Sequence, residues 1–238
     1  MMETSVPRPY SHDPDPSRRF IAFDMFGTLV VNRYGDLDRI FQVFYGFFPD
    51  ATPEEVQREY ENLLAIHSRS HGDVKELTIP EVMRHLDGVF GTSNDYLDAE
   101  DAMMRRTGTF VAADGARETL SYFRDHGYRI GVLSNTAYRS SVVAGVLEDN
   151  GMADLVDAVV TSADVGYRKP DSRAYDAVVH AIGGERGLCY FVGDSRDRDH
   201  TGPLRYGMKG AFLIDHHCSG KEDSVVRCIG DIPSLFSD

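Results

Sequence analysis

The chain has 238 residues, 42% of them hydrophobic and 26% charged, with a net charge of −13, enough for one large domain or a domain carrying an inserted module. The acidic excess argues against nucleic acid or an anionic membrane surface as a partner, and no apolar run approaches the length of a membrane span. A small anionic substrate remains compatible, because a local pocket can oppose the field of the whole molecule.

Residues 1–18 carry four prolines and few apolar side chains, so they read as a flexible tail. They contain no apolar stretch of signal-peptide type, and a cytoplasmic protein is expected. The segment FIAFD at 20–24 is a short apolar run that ends in an acid and then a Gly-Thr turn. It predicts a buried strand. Between about 36 and 104 the texture changes. LDRIFQVFYGFF, PEEVQREYENLLAIHS, IPEVMRHLDGVF and NDYLDAEDAMMRR place apolar residues three and four apart with charges between them, which predicts four helices and no strand. Pro53 with Glu54 and Glu55, and Pro80 with Glu81, are helix starts.

From about Asp114 onward strands and helices alternate. GARETLSYFRDHG predicts a helix ended by Gly127, YRIGVLSN a buried strand, YRSSVVAGVLEDNG a helix and DAVVTS a strand. DSRAYDAVVHAIGG follows as a helix, GLCYFVGD as a strand, HTGPLRYGM as a short helix and GAFLI as a strand. This alternation is the pattern of a parallel sheet wrapped by helices. The expected fold class is therefore α/β, with residues 19–33 and 110–238 forming the core and the helical block 34–109 inserted after the first strand.

In an open parallel sheet, ligands bind beyond the carboxyl ends of the strands. The predicted strands end in Asp24, followed by Phe26, Gly27 and Thr28; in Ser134 and Asn135; in a loop reaching Arg168, Lys169 and Pro170; and in Gly193, Asp194 and Ser195, with Asp197 and Asp199 close behind. Each is by itself compatible with a turn, a helix cap or a solvated loop. Their common position on one edge points instead to a site. Clustered carboxylates repel unless a cation joins them, and a hard divalent ion with oxygen ligands such as Mg²⁺ satisfies Asp24 and Asp194 together. An aspartate so placed can act as a covalent nucleophile on a phosphoryl group, with Lys169 orienting it and Ser134 and the backbone near Gly27 and Thr28 holding phosphoryl oxygens. Cys189, Cys218 and Cys228 fit no zinc spacing; Cys189 is expected as a buried thiol. The run His216-His217-Cys218 is a weak metal motif.

These segments resemble the haloacid dehalogenase-like (HAD) hydrolase superfamily from Phe20 to about Leu235. The matching segments are D-M-F-G-T-L from Asp24, VLSN with Ser134, GYRKPDSRAY with Lys169, and FVGDSRDRDHTGPLRYGM with Asp194 and Asp199. The resemblance implies a Rossmann-like core with a helical cap of the C1 type. It implies Asp24 as nucleophile, with Ser134 and Lys169 as its catalytic partners. It also implies Mg²⁺ held by the carboxylates of Asp24 and Asp194 and the main-chain carbonyl of Phe26, with Asp199 supporting the metal shell. Gly27, Thr28, Asn135 and Arg33 are the expected substrate contacts.

Phe26 is the departure from the family pattern. In the family's phosphatases a second aspartate at that position carries the proton to the leaving oxygen and later activates water, and a phenyl ring does neither. Three functions follow. The first is a Mg²⁺-dependent hydrolase of a small phosphate ester with an altered acid/base. The second is a 2-haloacid dehalogenase, whose halide needs no proton and no metal. It would need Arg33 or Arg39 for the substrate carboxylate, and Asp194 is foreign to it. The third is a weakly active HAD-fold binding protein, in keeping with Phe26 and with Arg198 standing before Asp199. His67, His71, His85 and Lys75 lie in the helical block without a sequence signal that aims them at the site. The oligomeric state is open.

Overall fold

The computed structural model describes residues 19–32, 42–106, 109–217 and 222–236. A six-stranded parallel sheet runs in the order β5-β4-β1-β6-β7-β8. Its members are β1 (Arg19–Phe23), β4 (Tyr128–Ser134), β5 (Ala158–Thr161), β6 (Cys189–Gly193), β7 (Gly210–Ile214) and β8 (Val225–Val226). β1 is central, with Ala22 beside Gly131 of β4 and Phe191 of β6. The chain builds outward from β1 through β4 to β5, then returns to β6 on the other side. The switch point therefore lies at β1, where the α/β rule places a ligand.

Alternation along each strand divides the core into two faces. Ile21, Phe23, Ile130, Val132 and Val192 pack with α4 (Ala116–Asp125) and α5 (Ser140–Asp149). Phe20, Ala22, Leu133, Cys189 and Phe191 pack with α7 (Ser172–Ala181). A single helical turn, α6 (Ser162–Val165), follows β5, and α8 (Gly202–Tyr206) precedes β7. The expected strands and helices of this half are all present, and Gly127 follows α4 with φ 75°.

The structure adds an element that the sequence pattern did not predict. β2 (Val30–Asn32) and β3 (Phe110–Ala112) form an antiparallel ribbon on which the helical block stands. The Asn150 side chain accepts from the Ala112 amide at 2.7 Å and donates to the Phe110 carbonyl at 3.2 Å, fixing the ribbon to the end of α5. Three-residue strands carry too little periodicity to be read from composition.

In the block itself α1 (Pro53–His71), α2 (Ile79–Phe90) and α3 (Tyr96–Arg106) are described, and residues 42–45 are helical. Thr52 with Glu55 and Thr78 with Glu81 close full capping boxes at the starts of α1 and α2, satisfying helix-end amides that otherwise have no partner. Val56, Val82, Met83, Leu86 and Met103 form the block's own core.

Two acids of the block are buried against the body of the protein. Glu100 of α3, fully buried, accepts from the backbone amide and the Nε of Arg139. Glu76 receives the Ser162 hydroxyl and the Arg168 guanidinium, the latter at 2.7 and 2.9 Å. Among the described residues no helix is long and apolar enough to cross a membrane.

Candidate active site

Asp24 ends the central strand, and its amide continues the ladder onto the Val192 carbonyl at 2.8 Å. A tight turn over Met25–Val30 follows, closed by the Gly27 amide on the Val30 carbonyl at 2.8 Å. Gly27 has φ 90°, and a Cβ there would lie 2.2 Å from Asp194 Oδ2. Glycine is needed at this point both for the positive φ and for the approach of the Asp194 carboxylate. Gly193 allows a similar close approach on the other side: a Cβ there would stand 2.5 Å from Asp199 Cγ. Two bare backbone positions thus let three carboxylates crowd together.

Lys169 joins them. Its Nζ is 2.6 Å from Asp24 Oδ1 and 2.7 Å from Asp199 Oδ1, with 3% of the lysine exposed. The ammonium also lies 5.0 Å from the centre of the Phe191 ring. Asp199 is held by its other oxygen, which accepts from the Ser195 amide at 2.9 Å. The backbone of Lys169 is gripped by Asn135: the Lys169 amide donates to Asn135 Oδ1 at 2.7 Å, and Asn135 Nδ2 donates to the Lys169 carbonyl at 2.9 Å. The Lys169-Pro170 bond is cis.

Carboxylate oxygens of Asp24, Asp194 and Asp199 lie within 4.8 Å of one another. Asp24 and Asp199 share one buried ammonium, and the exposed Asp194 beside them feels Arg198 as well as Lys169, so carboxylates outnumber the cation buried among them. Burial pushes the Asp24 carboxyl up to about 6, against the pull of Lys169 and with Asp199 adding to the rise. Partial burial, then the neighbouring Asp199 charge, raises Asp194 as well. For Lys169 burial works downward, but Asp24 and Asp199 outweigh it and hold the ammonium above its ordinary range. Such a set of hard oxygen donors with surplus negative charge fits a divalent cation of the Mg²⁺ type. Thr28, on the turn after Asp24, buries a hydroxyl that has no hydrogen-bond partner among the described residues. A buried polar atom left so is costly unless something else meets it.

Of the residues singled out in the sequence, Asp24, Asp194, Asp199 and Lys169 converge directly. Ser134 is buried at the end of β4, the strand beside β1. Asn135 is engaged with the Lys169 backbone. Phe26 is half-buried, and its ring packs 5.0 Å from that of Phe110 on the ribbon. Arg33 and Arg39 lie outside the described residues, as does Cys218. Among the other candidates, His67 pairs with the Lys75 carbonyl at 3.2 Å, and Lys75 lies over the Tyr167 ring. Cys189 and Cys228 are free thiols, Cys189 buried and pushed up to about 12 by that burial.

The residues that surround and support the site were not visible in the sequence. Ser162 donates to Glu76 and accepts from the Thr136 amide at 2.8 Å, so the helical block is linked by hydrogen bonds to the segment next to Asn135. Partners 86 residues apart, like Ser162 and Glu76, leave no local signature.

A sequence profile described as haloacid dehalogenase-like hydrolase matches residues 19–202. Phosphatase MT3486 of Mycobacterium tuberculosis is 36% identical over 122 residues, 51% of this chain and 54% of that protein. The chain thus spans about half the length of that relative. The (S)-2-haloacid dehalogenase of Pseudomonas sp. is 28% identical over 197 residues, 81% of each chain. Among solved structures, a HAD phosphatase from Thermococcus onnurineus superposes with a TM-score of 0.63 over 92% of this chain and 98% of its own at 18% identity. That likeness concerns the fold.

Proposed function

The chain belongs to the haloacid dehalogenase-like hydrolase family, and from that membership we propose that it is a Mg²⁺-dependent hydrolase of small phosphate esters with Asp24 as nucleophile. The observation that carries the reading is the buried Lys169 bridge between Asp24 and Asp199, with a surplus of negative charge around it. Asp24 and Asp194, the Phe26 main-chain carbonyl and, in support, Asp199 would hold Mg²⁺, which when bound supplies neutralisation of phosphoryl charge.

Lys169 occupies Oδ1 of Asp24, and the carboxylate attacks phosphorus. The bond from phosphorus to the leaving oxygen breaks, and the electron pair leaves with that oxygen. Water then attacks phosphorus of the aspartyl-phosphate, inorganic phosphate departs, a proton passes to solvent and the carboxylate is restored. Ser134 and the unpartnered Thr28 hydroxyl would receive the phosphoryl oxygens; the Gly27 amide, expected in that role, is taken by the Val30 carbonyl, so Gly27 serves the site by its shape, and Arg33 is the proposed contact for the substrate's anionic group. Asn135 keeps Lys169 in place. Phe26 brings no proton, so esters with acidic leaving groups are the better substrates. The helical block 34–109 acts as a cap over the site and selects the substrate. We place the enzyme in the cytoplasm, acting on a small anionic molecule.

Dehalogenation of a 2-haloacid is the second reading. It is supported by the Phe26 ring at the position of the proton carrier and by the relative that matches over 81% of the chain. Assay of the purified chain with p-nitrophenyl phosphate decides between them. Turnover that needs Mg²⁺, stops in EDTA and disappears in Asp24→Asn is expected. Halide release from 2-chloropropionate in EDTA, without phosphate release, would replace this function by the second.

A further inference from the structure

We propose that Tyr175 is a positioning residue for the site, its hydroxyl standing in for a backbone amide that the sequence has removed. Asp199 sits in a six-residue π-helical turn, Arg196–Thr201. In that geometry each carbonyl accepts from the amide five residues on, and the Gly202 amide does bond the Asp197 carbonyl. The next carbonyl, that of Arg198, should accept from residue 203. Residue 203 is proline, which has no N–H. The Tyr175 hydroxyl donates to this Arg198 carbonyl, so the acceptor left over by the wide turn is met from another helix.

The consequence reaches Asp199 directly, because the Arg198 carbonyl belongs to the peptide group that begins Asp199. The Tyr175 ring is fully buried in α7, edge-on to Phe191 at 5.9 Å and tilted against Tyr206 at 5.5 Å. Its place is therefore fixed by packing, and α7 begins three residues after Lys169. The close passage of the turn is built in as well: a Cβ at Gly202 would fall 2.2 Å from the Tyr175 hydroxyl. One hydroxyl thus ties the helix that follows Lys169 to the turn that carries Asp199. It sets the separation at which the ammonium and that carboxylate meet.

The inference rests on the reading of Asp24, Asp194 and Asp199 as a divalent-metal site, and its test has one arm that does not. Tyr175→Phe removes the hydroxyl and keeps the ring. Calorimetric titration with Mn²⁺ should show about ten-fold weaker binding, the scale of a lost partner behind a metal ligand. Hydrogen exchange of the Ser195 amide, which is held by Asp199 Oδ2, should speed up about ten-fold in metal-free protein. Tyr206→Phe, which removes a hydroxyl bonded to Asp176, should change neither. In Tyr175→Phe/Pro203→Ala the restored amide at 203 should recover both quantities, and this background also tests the bond where the single variant does not fold. Wild-type exchange at Ser195 in Tyr175→Phe would overturn the proposal, as would equal losses in Tyr206→Phe or no recovery in the double variant. A wild-type protein that binds no Mn²⁺ would sink the metal reading instead and leave the exchange arm to decide.

Discussion

At the sheet edge, buried Asp24 and Asp199 share the single Lys169 ammonium, and Asp194 stands beside them exposed to solvent. In the helical block, Glu76, Glu100 and Asp87 are each met by a full set of donors. Glu76 has Ser162 and Arg168, Glu100 has the amide and guanidinium of Arg139, and Asp87 has the Thr92 hydroxyl at 2.6 Å and the Asn94 amide and side chain at 3.0 and 2.7 Å. Both regions bury acids, which is unfavourable unless the charge is answered. Where the answer is complete the acid anchors structure. Where it falls short the surplus is available to a ligand and to chemistry.

The comparison is broken most directly at Asp24. Asp24→Asn should lower phosphate-ester turnover on the order of 10⁴-fold or more, as removal of a nucleophile does, while leaving the melting temperature of the metal-free protein unchanged or higher. A large loss of stability in calorimetry would show that Asp24 is an anchor after all. Glu100→Ala should behave in the opposite manner. It strips the partner from Arg139, whose side chain is 32% exposed, and should cost about 1.5–3 kcal/mol in denaturant unfolding, the scale of lost hydrogen bonds to a charged group, with residual turnover in the folded fraction. An effect below about 1 kcal/mol, the scale of an exposed pair, would remove the distinction.

Phe26→Asp adds a further carboxylate where charge is already in surplus. Turnover of an alkyl phosphate should rise about 10²-fold, the lower range for a restored proton carrier, and the metal-free protein should become less stable. An unchanged rate would mean that proton transfer does not limit the reaction. The smallest effect is in pH. Asp24 has a folded pKa raised to about 6, so its contribution to stability is present below the unfolded value of about 3.9 and is lost as pH rises through about 6. For Asp87 burial works upward, but the Asn94 and Thr92 hydrogen bonds outweigh it and hold the carboxyl below its ordinary value. Its contribution is present above about pH 4 and is lost as pH falls through the lowered value. Melting of Asp24→Asn and Asp87→Asn against pH, in EDTA, should remove slopes of opposite sign.

Most of the core was legible because its signals are local. β1, β4, β6 and β7 are apolar runs closed by turns, and Thr52-Pro53 with Glu55 is a helix start on any reading. Asp24 and Asp194 were legible because each directly follows a strand, whereas Lys169, beyond the α6 turn, and Asp199, inside the turn after β6, were legible through the family motifs they belong to. The ribbon of β2 and β3 was not, since three residues give no period. Nor was Asn135 legible as the support of Lys169: a strand-end asparagine faces substrate or neighbour with equal sense until the loop after β5 is in place. Tyr175 reads as one more apolar position of an amphipathic helix. Only the register of the turn at Arg196–Thr201 reveals that Pro203 leaves a carbonyl for it.

The two acid–arginine contacts of the helical block bear on how such proteins can be recombined. Glu76 and Glu100 reach Arg168 and Arg139 on loops of the core, and Arg168 directly precedes Lys169. A block exchanged from a relative would strand both arginines unless it brought matching acids at the same places. In this protein the helical block and the loops beneath it are joined by these ion pairs, so a transplanted block is expected to need the matching loops moved with it.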